Sequence, residues 1–149
     1  MSARAPEATL LRPTLLGLLR LRWVTQMTLA DTEVRWHQKR IDLAFVSSEP
    51  EIGCVAVELK MDNWPSALRQ AHLNRVLTPS SWVATPTVTE RQERRARRLG
   101  IGILLVTGSG VYPMLYPMRD TGRQQILIDE VRLRGRRIRD LLGETLRAG

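Results

Sequence analysis

Residues 54–61, CVAVELKM, alternate without a break. Successive side chains of an extended strand point to opposite faces. Val55, Val57, Leu59 and Met61 therefore share one side, and Cys54, Ala56, Glu58 and Lys60 the other. Residues 40–47, RIDLAFVS, alternate in the same way, with Ile41, Leu43 and Phe45 opposed to Asp42, Ala44 and Val46. The SSEPEIG stretch between them turns the chain. A sheet face covered by a helix should be apolar, yet this one carries an acid and a base one pleat apart. An unpaired buried charge costs several kcal/mol, so such groups need partners or a metal ion.

The flanking segments set the architecture. Residues 14–22, TLLGLLRLR, read as a short amphipathic helix with Pro13 near its start, and any helical turn before Pro13 is expected to be separate or kinked. Residues 23–29 and 32–36 are β-leaning, and one or both are strands. A helix is expected over 64–77, with Asn63 as N-cap, Pro65 in its first turn and an apolar stripe of Trp64, Ala67, Leu68 and Ala71. Gln70 and Asn74 lie one turn apart at the edge of that stripe. A short strand at 81–86, a helix at 89–99 between Thr89 and Gly100, and an apolar strand at 101–107 follow. A further strand over 110–118 is interrupted by Pro113 and Pro117. Residues 124–131 are ambiguous, and 132–147 read as a basic C-terminal helix. The expected fold is α/β (α+β): a central mixed sheet flanked by helices, in the order α-β-β-β-α-β-α-β. A single domain is expected over residues 1–149, with its core in 23–118.

Composition narrows the function classes. No apolar run is long enough to span a bilayer, and the N-terminus does not read as a signal peptide. The lone cysteine, Cys54, excludes an intramolecular disulfide, which fits a cytoplasmic protein. One Cys and two His, His37 and His72, do not supply a structural zinc site. Cys54 is expected as a small buried hydrophobe, His37 as a surface or turn residue, His72 facing solvent or capping the helix stripe, and the tryptophans as core or half-core. Twenty-three Lys and Arg face fifteen Asp and Glu, a net charge of +8 that favours a polyanionic partner. The arginines concentrate in 91–98 and 132–139. Either run is a solvated face or a set of phosphate contacts. Arg94, Arg95, Arg97, Arg98, Arg136 and Arg137 are the candidates for DNA binding. Only two of the basic residues are lysines, Lys39 and Lys60.

Asp42 joins Glu58 and Lys60 if the two strands are neighbours in the right register. An Asp and a Glu converging at a strand end make an oxygen site for a hard divalent cation such as Mg²⁺, with Mn²⁺ as a substitute. Lys60 beside it could orient an attacking water and offset charge on a phosphoryl transition state. At these residues the chain resembles the PD-(D/E)XK, or restriction-endonuclease-like, nuclease superfamily. That family carries an Asp on one strand, a turn, and then (D/E)-x-K on the next. Here these are Asp42 and Glu58-Leu59-Lys60, with Ile41 in place of the Pro. In many bacterial members W-x-x-A-L-x-Q-A and a strand like YVAVP follow, similar to Trp64–Ala71 and to SWVATP at 81–86 here.

The resemblance spans roughly residues 33–107. It implies a metal-dependent deoxyribonuclease with Asp42 and Glu58 as metal ligands, Lys60 as catalytic lysine and Gln70 as an auxiliary active-site residue. In the Q-x-x-x-Y motif of RecB-type members, the Tyr position is Asn74 here. A further acidic ligand would have to be Glu7 or Glu33. The implied partner is DNA, with a homodimer or a partner subunit left open. The implied setting is a repair, recombination, mobile-element or phage-defence system. Two rivals remain: a nuclease-like DNA-binding or assembly module without independent activity, and a basic regulator that binds DNA through its arginine-rich helices.

Overall fold

The computed structural model describes residues 5–36, 39–62, 64–118 and 124–148. Its strands are β1 (Leu29–Trp36), β2 (Lys39–Val46), β3 (Cys54–Leu59), β4 (Ser80–Thr85), β5 (Gly102–Thr107), β6 (Gly110–Leu115) and β7 (Arg136–Arg137). Its helices are α1 (Ala5–Arg20), α2 (Trp64–Asn74), α3 (Glu90–Leu99), α4 (Gln125–Arg134) and α5 (Ile138–Ala148). The strands form one sheet in the order β6-β5-β4-β3-β2-β1-β7. β3, β4 and β5 run parallel, and every other neighbouring pair is antiparallel. This is the mixed α/β sheet expected from the sequence, with β3 at its centre.

Period-two alternation divides the core into two layers. Val55, Val57 and Leu59 of β3 pack with Leu15 and Leu18 of α1 and Leu141 of α5. On the opposite face, Val83 and Ile103 pack with the α2 stripe and with Ala96 of α3. Cys54 and Ala56 pack beside them with Leu127 and Val131 of α4. Cys54 is buried, as are Trp23, Trp64 and Trp82, while His72 is exposed. Trp36 is only partly buried, against the α4 layer.

α1 is longer than its sequence signals indicated. It runs unbroken from Ala5 to Arg20 with Pro13 inside. Proline in a helix interior costs about 3 kcal/mol. Leu10 on one side of Pro13 and Leu15 and Leu18 on the other are all buried in one cluster. At roughly 1.5–3 kcal/mol each, their burial outweighs that cost. Residues 23–28 are not a strand. The Thr28 hydroxyl accepts from Thr25 N–H at 2.8 Å and the Thr25 hydroxyl from Met27 N–H at 3.2 Å, so hydroxyls satisfy a turn locally.

The β1–β2 ladder departs from simple alternation at one point. Its register pairs Thr32 with Leu43 and Val34 with Ile41, which sets Glu33 opposite Asp42. Glu33 has φ 60°, in the left-handed region that non-glycine residues avoid. Before it, Ala30 packs in the α1–α5 layer together with Leu43 and Phe45. After it, Val34 packs in the α4 layer together with Ile41. Ile41 thus does not share a face with Leu43, contrary to the expected alternation. One left-handed residue lets the hairpin contribute to both layers.

Two predicted helices need correction. α2 ends at Asn74 rather than at residue 77, because the Asn74 carbonyl accepts from both Leu77 and Thr78 N–H and closes the last turn. The expected basic helix 132–147 is two helices. Gly135 ends α4 with φ −69° and ψ 154°, and a Cβ there would lie 2.3 Å from the Val131 carbonyl oxygen. The extended pair Arg136–Arg137 then adds to β1 before α5 begins. Residues 125–131, ambiguous in sequence, are helical. α3 matches its signals closely: Thr89 and Gln92 form a reciprocal capping box, and Gly100 takes φ 76° as C-cap. Asn63 and His37 lie outside the described residues. Among the described residues, no helix is long and apolar enough to cross a membrane.

Candidate active site

The central strand carries the buried charge. Glu58 is 2% exposed, although every other residue of β3 is apolar. It sits on the α2 side, where Nδ2 of Asn74 donates to its Oε2 at 3.0 Å. The β2–β3 ladder pairs Leu43 with Val57, and one step further Asp42 faces Glu58. Asp42 Oδ2 accepts from Leu59 N–H at 2.9 Å, so a carboxylate takes the amide that the strand pairing leaves at its end.

The electrostatics follow from this packing. Burial, and then the charge of Asp42, push the Glu58 carboxyl up to about 8, and a hydrogen bond shared with Asp42 acts in the same direction. The Asn74 hydrogen bond and the Lys60 ammonium oppose that rise. A second positive charge placed between the carboxylates would relieve both dominant effects. The donor set is of the type a hard cation takes: two facing carboxylates, all oxygen ligands. Mg²⁺ is commonly held by one or two carboxylates, with waters and substrate phosphate completing its shell.

Lys60 follows β3, and its N–H donates to the Ala84 carbonyl at 3.0 Å. That bond extends the β3–β4 ladder by one residue and fixes where the lysine leaves the sheet. Its side chain is half-buried and close enough to lower the Glu58 carboxyl. Asp42, Glu58 and Lys60 are thus brought together.

Gln70 is not joined to them. It is half-buried on α2, and among the described residues no hydrogen bond links it to any of the three. The α2 residue that does reach the site is Asn74, whose role was not legible in advance. A signal existed: Asn74 continues the buried stripe three residues after Ala71, as its sole polar member. Glu33 is exposed and pairs with Arg40 at 3.4 Å. The Glu7 side chain is outside the described residues. Among the described residues no group of three or more His, Cys, Asp or Glu is placed to hold a metal ion, so the carboxylate pair stands without a third acidic ligand.

The two arginine runs differ. On α3 only Ala96 is buried, and Arg94, Arg95, Arg97 and Arg98 are exposed, with Arg97 bonded to Glu93 at 2.9 Å. In the C-terminal run Arg134 pairs with Glu130 at 2.7 Å, Arg136 with Glu144, and Arg139 with Asp140 at 3.6 Å. Arg136 and Arg137 stand on an edge strand rather than on a helix.

Neither the family models nor the curated proteins compared with this chain match it. Among solved structures, the fold is similar to that of a protein of unknown function from Silicibacter pomeroyi, with a TM-score of 0.64 and 14% identity. The match covers 86% of this chain and 84% of that one. At this identity the likeness concerns the fold alone.

Proposed function

We propose that the protein is a metal-dependent nuclease hydrolysing DNA phosphodiester bonds, with Asp42, Glu58 and Lys60 at its centre. The observation that carries the reading is a carboxylate buried in the middle of the sheet, raised by a second carboxylate and flanked by a lysine. Such a group is costly to keep for structure alone, since a hydrophobic residue of similar volume is often neutral or stabilising. The resemblance to the PD-(D/E)XK pattern rests on the same residues.

Asp42 and Glu58 would hold Mg²⁺ or Mn²⁺, whose chemistry is Lewis-acid polarisation of the scissile phosphate. Lys60 positions the attacking water and offsets the negative charge that develops on the phosphoryl oxygens. Arg94, Arg95 and Arg98 hold the backbone of the polyanion without reading its sequence.

The test is incubation of the purified protein with supercoiled plasmid, linear duplex and single-stranded DNA, in Mg²⁺ and Mn²⁺, beside Lys60→Ala. The expected result is metal-dependent cleavage that falls about 10²–10⁴-fold in the variant, with fold and DNA affinity retained. Wild-type rates in Lys60→Ala would overturn the assignment. Salt-sensitive DNA binding without cleavage, indifferent to EDTA, would favour a binding or assembly module on the same fold.

A further inference from the structure

Asn74 stands at the junction of three elements. Its carbonyl closes the end of α2 by accepting from Leu77 and Thr78 N–H at 2.9 and 3.2 Å. Three residues before it, the Ala71 carbonyl accepts from the Ser81 hydroxyl of β4 at 2.6 Å. Four residues after it, the Thr78 hydroxyl donates to the Cys54 carbonyl of β3. The helix end is therefore stitched to both central strands on either side of Asn74. The residue is 2% exposed, and its amide lies 3.0 Å from Glu58 Oε2. The Asn74 side chain is turned with its amide nitrogen toward that oxygen, as donor to acceptor.

We infer that Asn74 is a positioning residue for Glu58, holding Oε2 from the helix side so that the other carboxyl oxygen is the one offered to a divalent cation shared with Asp42. This rests on the reading of Asp42 and Glu58 as a cation site. The residue type suits the task. A lysine at this position would neutralise the carboxylate and compete with the cation, and a carboxylate would add repulsion. A neutral donor fixes orientation while leaving the charge of the pair intact. Partners of this kind beyond the ligands themselves commonly contribute 10–100-fold to metal affinity.

The experiment is Mn²⁺ titration calorimetry on the full chain, comparing wild type with Asn74→Leu and Asn74→Ser, with Asp42→Ala as reference. Leucine keeps the volume and removes the donor. Serine keeps a shorter donor and serves if the leucine variant does not fold. Thermal melts without metal report the fold separately. The expected result is a 10–100-fold loss of Mn²⁺ affinity in Asn74→Leu, a smaller loss in Asn74→Ser, and metal-free melting within a few degrees of wild type. A purely structural role would lower the melting temperature and leave the affinity of the folded protein unchanged. Mn²⁺ binding within twofold of wild type in folded Asn74→Leu, or in Asn74→Ser where the leucine variant does not fold, would overturn the positioning role while leaving the cation site standing. Absence of Mn²⁺ binding in the wild type would overturn the cation site, and the positioning role with it.

Discussion

Glu58 and the arginines of α3 lie on the same side of the sheet, and both are charged, but the structure treats them in opposite ways. Glu58 is enclosed by β2, β3 and α2, with Asp42, Asn74 and Lys60 arranged around it. Arg94, Arg95 and Arg98 extend from a helix whose single buried residue is Ala96. The first arrangement is specific, since each neighbour changes the chemistry of one carboxyl. The second is collective, since any of the arginines could meet any phosphate. Counting charges along the chain favours the arginines, whereas burial singles out Glu58 among the described residues as the group whose charge needs explaining. The C-terminal run sharpens the point. In sequence it looks like α3, yet three of its arginines are already engaged by Glu130, Asp140 and Glu144.

The largest effect should come from the enclosed region. Asp42→Ala removes one of two carboxylates, and both Mn²⁺ binding by calorimetry and cleavage should be lost. Retained binding would mean that the cation site lies elsewhere. Next is Glu58→Gln. An acid whose carboxyl is raised on folding stabilises the fold at low pH and loses that contribution as pH rises. For Glu58 the loss begins near the ordinary carboxylate value and is complete above about 8. Without metal, the wild type should therefore lose stability from about pH 5 to 8. Glu58→Gln should flatten that slope and melt about 5 °C higher than wild type at pH 8. A variant that melts lower at pH 8 would refute the raised carboxyl.

The exposed region should respond more gently. Replacing Arg94, Arg95 and Arg98 together by Ala should weaken DNA binding about tenfold at low salt and reduce the slope of log K against log salt by up to about 3. Asp42 and Lys60 variants should leave that slope unchanged. The smallest effect is expected for Arg136→Ala, because its guanidinium is already paired with Glu144. A change in DNA affinity of under about twofold and in stability of under about 1 kcal/mol would fit an exposed pair. Equal losses from Arg136 and from the α3 arginines would erase the distinction between the two runs.

What the sequence revealed divides by the range of the forces involved. Thr89 and Gly100 mark the ends of α3 because capping is settled within four residues. The faces of Cys54 to Leu59 followed from period two, which needs only a regular strand. The switch of Ile41 between layers did not follow, because it depends on a left-handed glutamate opposite Asp42 and nothing in residues 29–36 marks that conformation. The break at Gly135 was hidden by arginines on both sides, and its cause is the close approach of the Val131 carbonyl. α1 ran through Pro13 because distant leucine burial outweighed a local penalty. The role of Asn74 lay beyond a sequence reading because its partner is reached across α2 and β3, sixteen residues away in the chain.

The carboxylate that ends the β2–β3 ladder also gives the site a built-in reporter. Leu59 is 4% exposed, and its amide is bonded to Asp42 Oδ2 rather than to a backbone carbonyl. The next amide, Lys60, is bonded to Ala84 in the neighbouring strand. Hydrogen exchange at these two adjacent amides should therefore uncouple. Any event that draws Asp42 away, whether substitution, protonation or engagement with a ligand, should speed exchange at Leu59 while Lys60 stays protected. The occupancy of the site would then be readable from one backbone position, without substrate and without turnover.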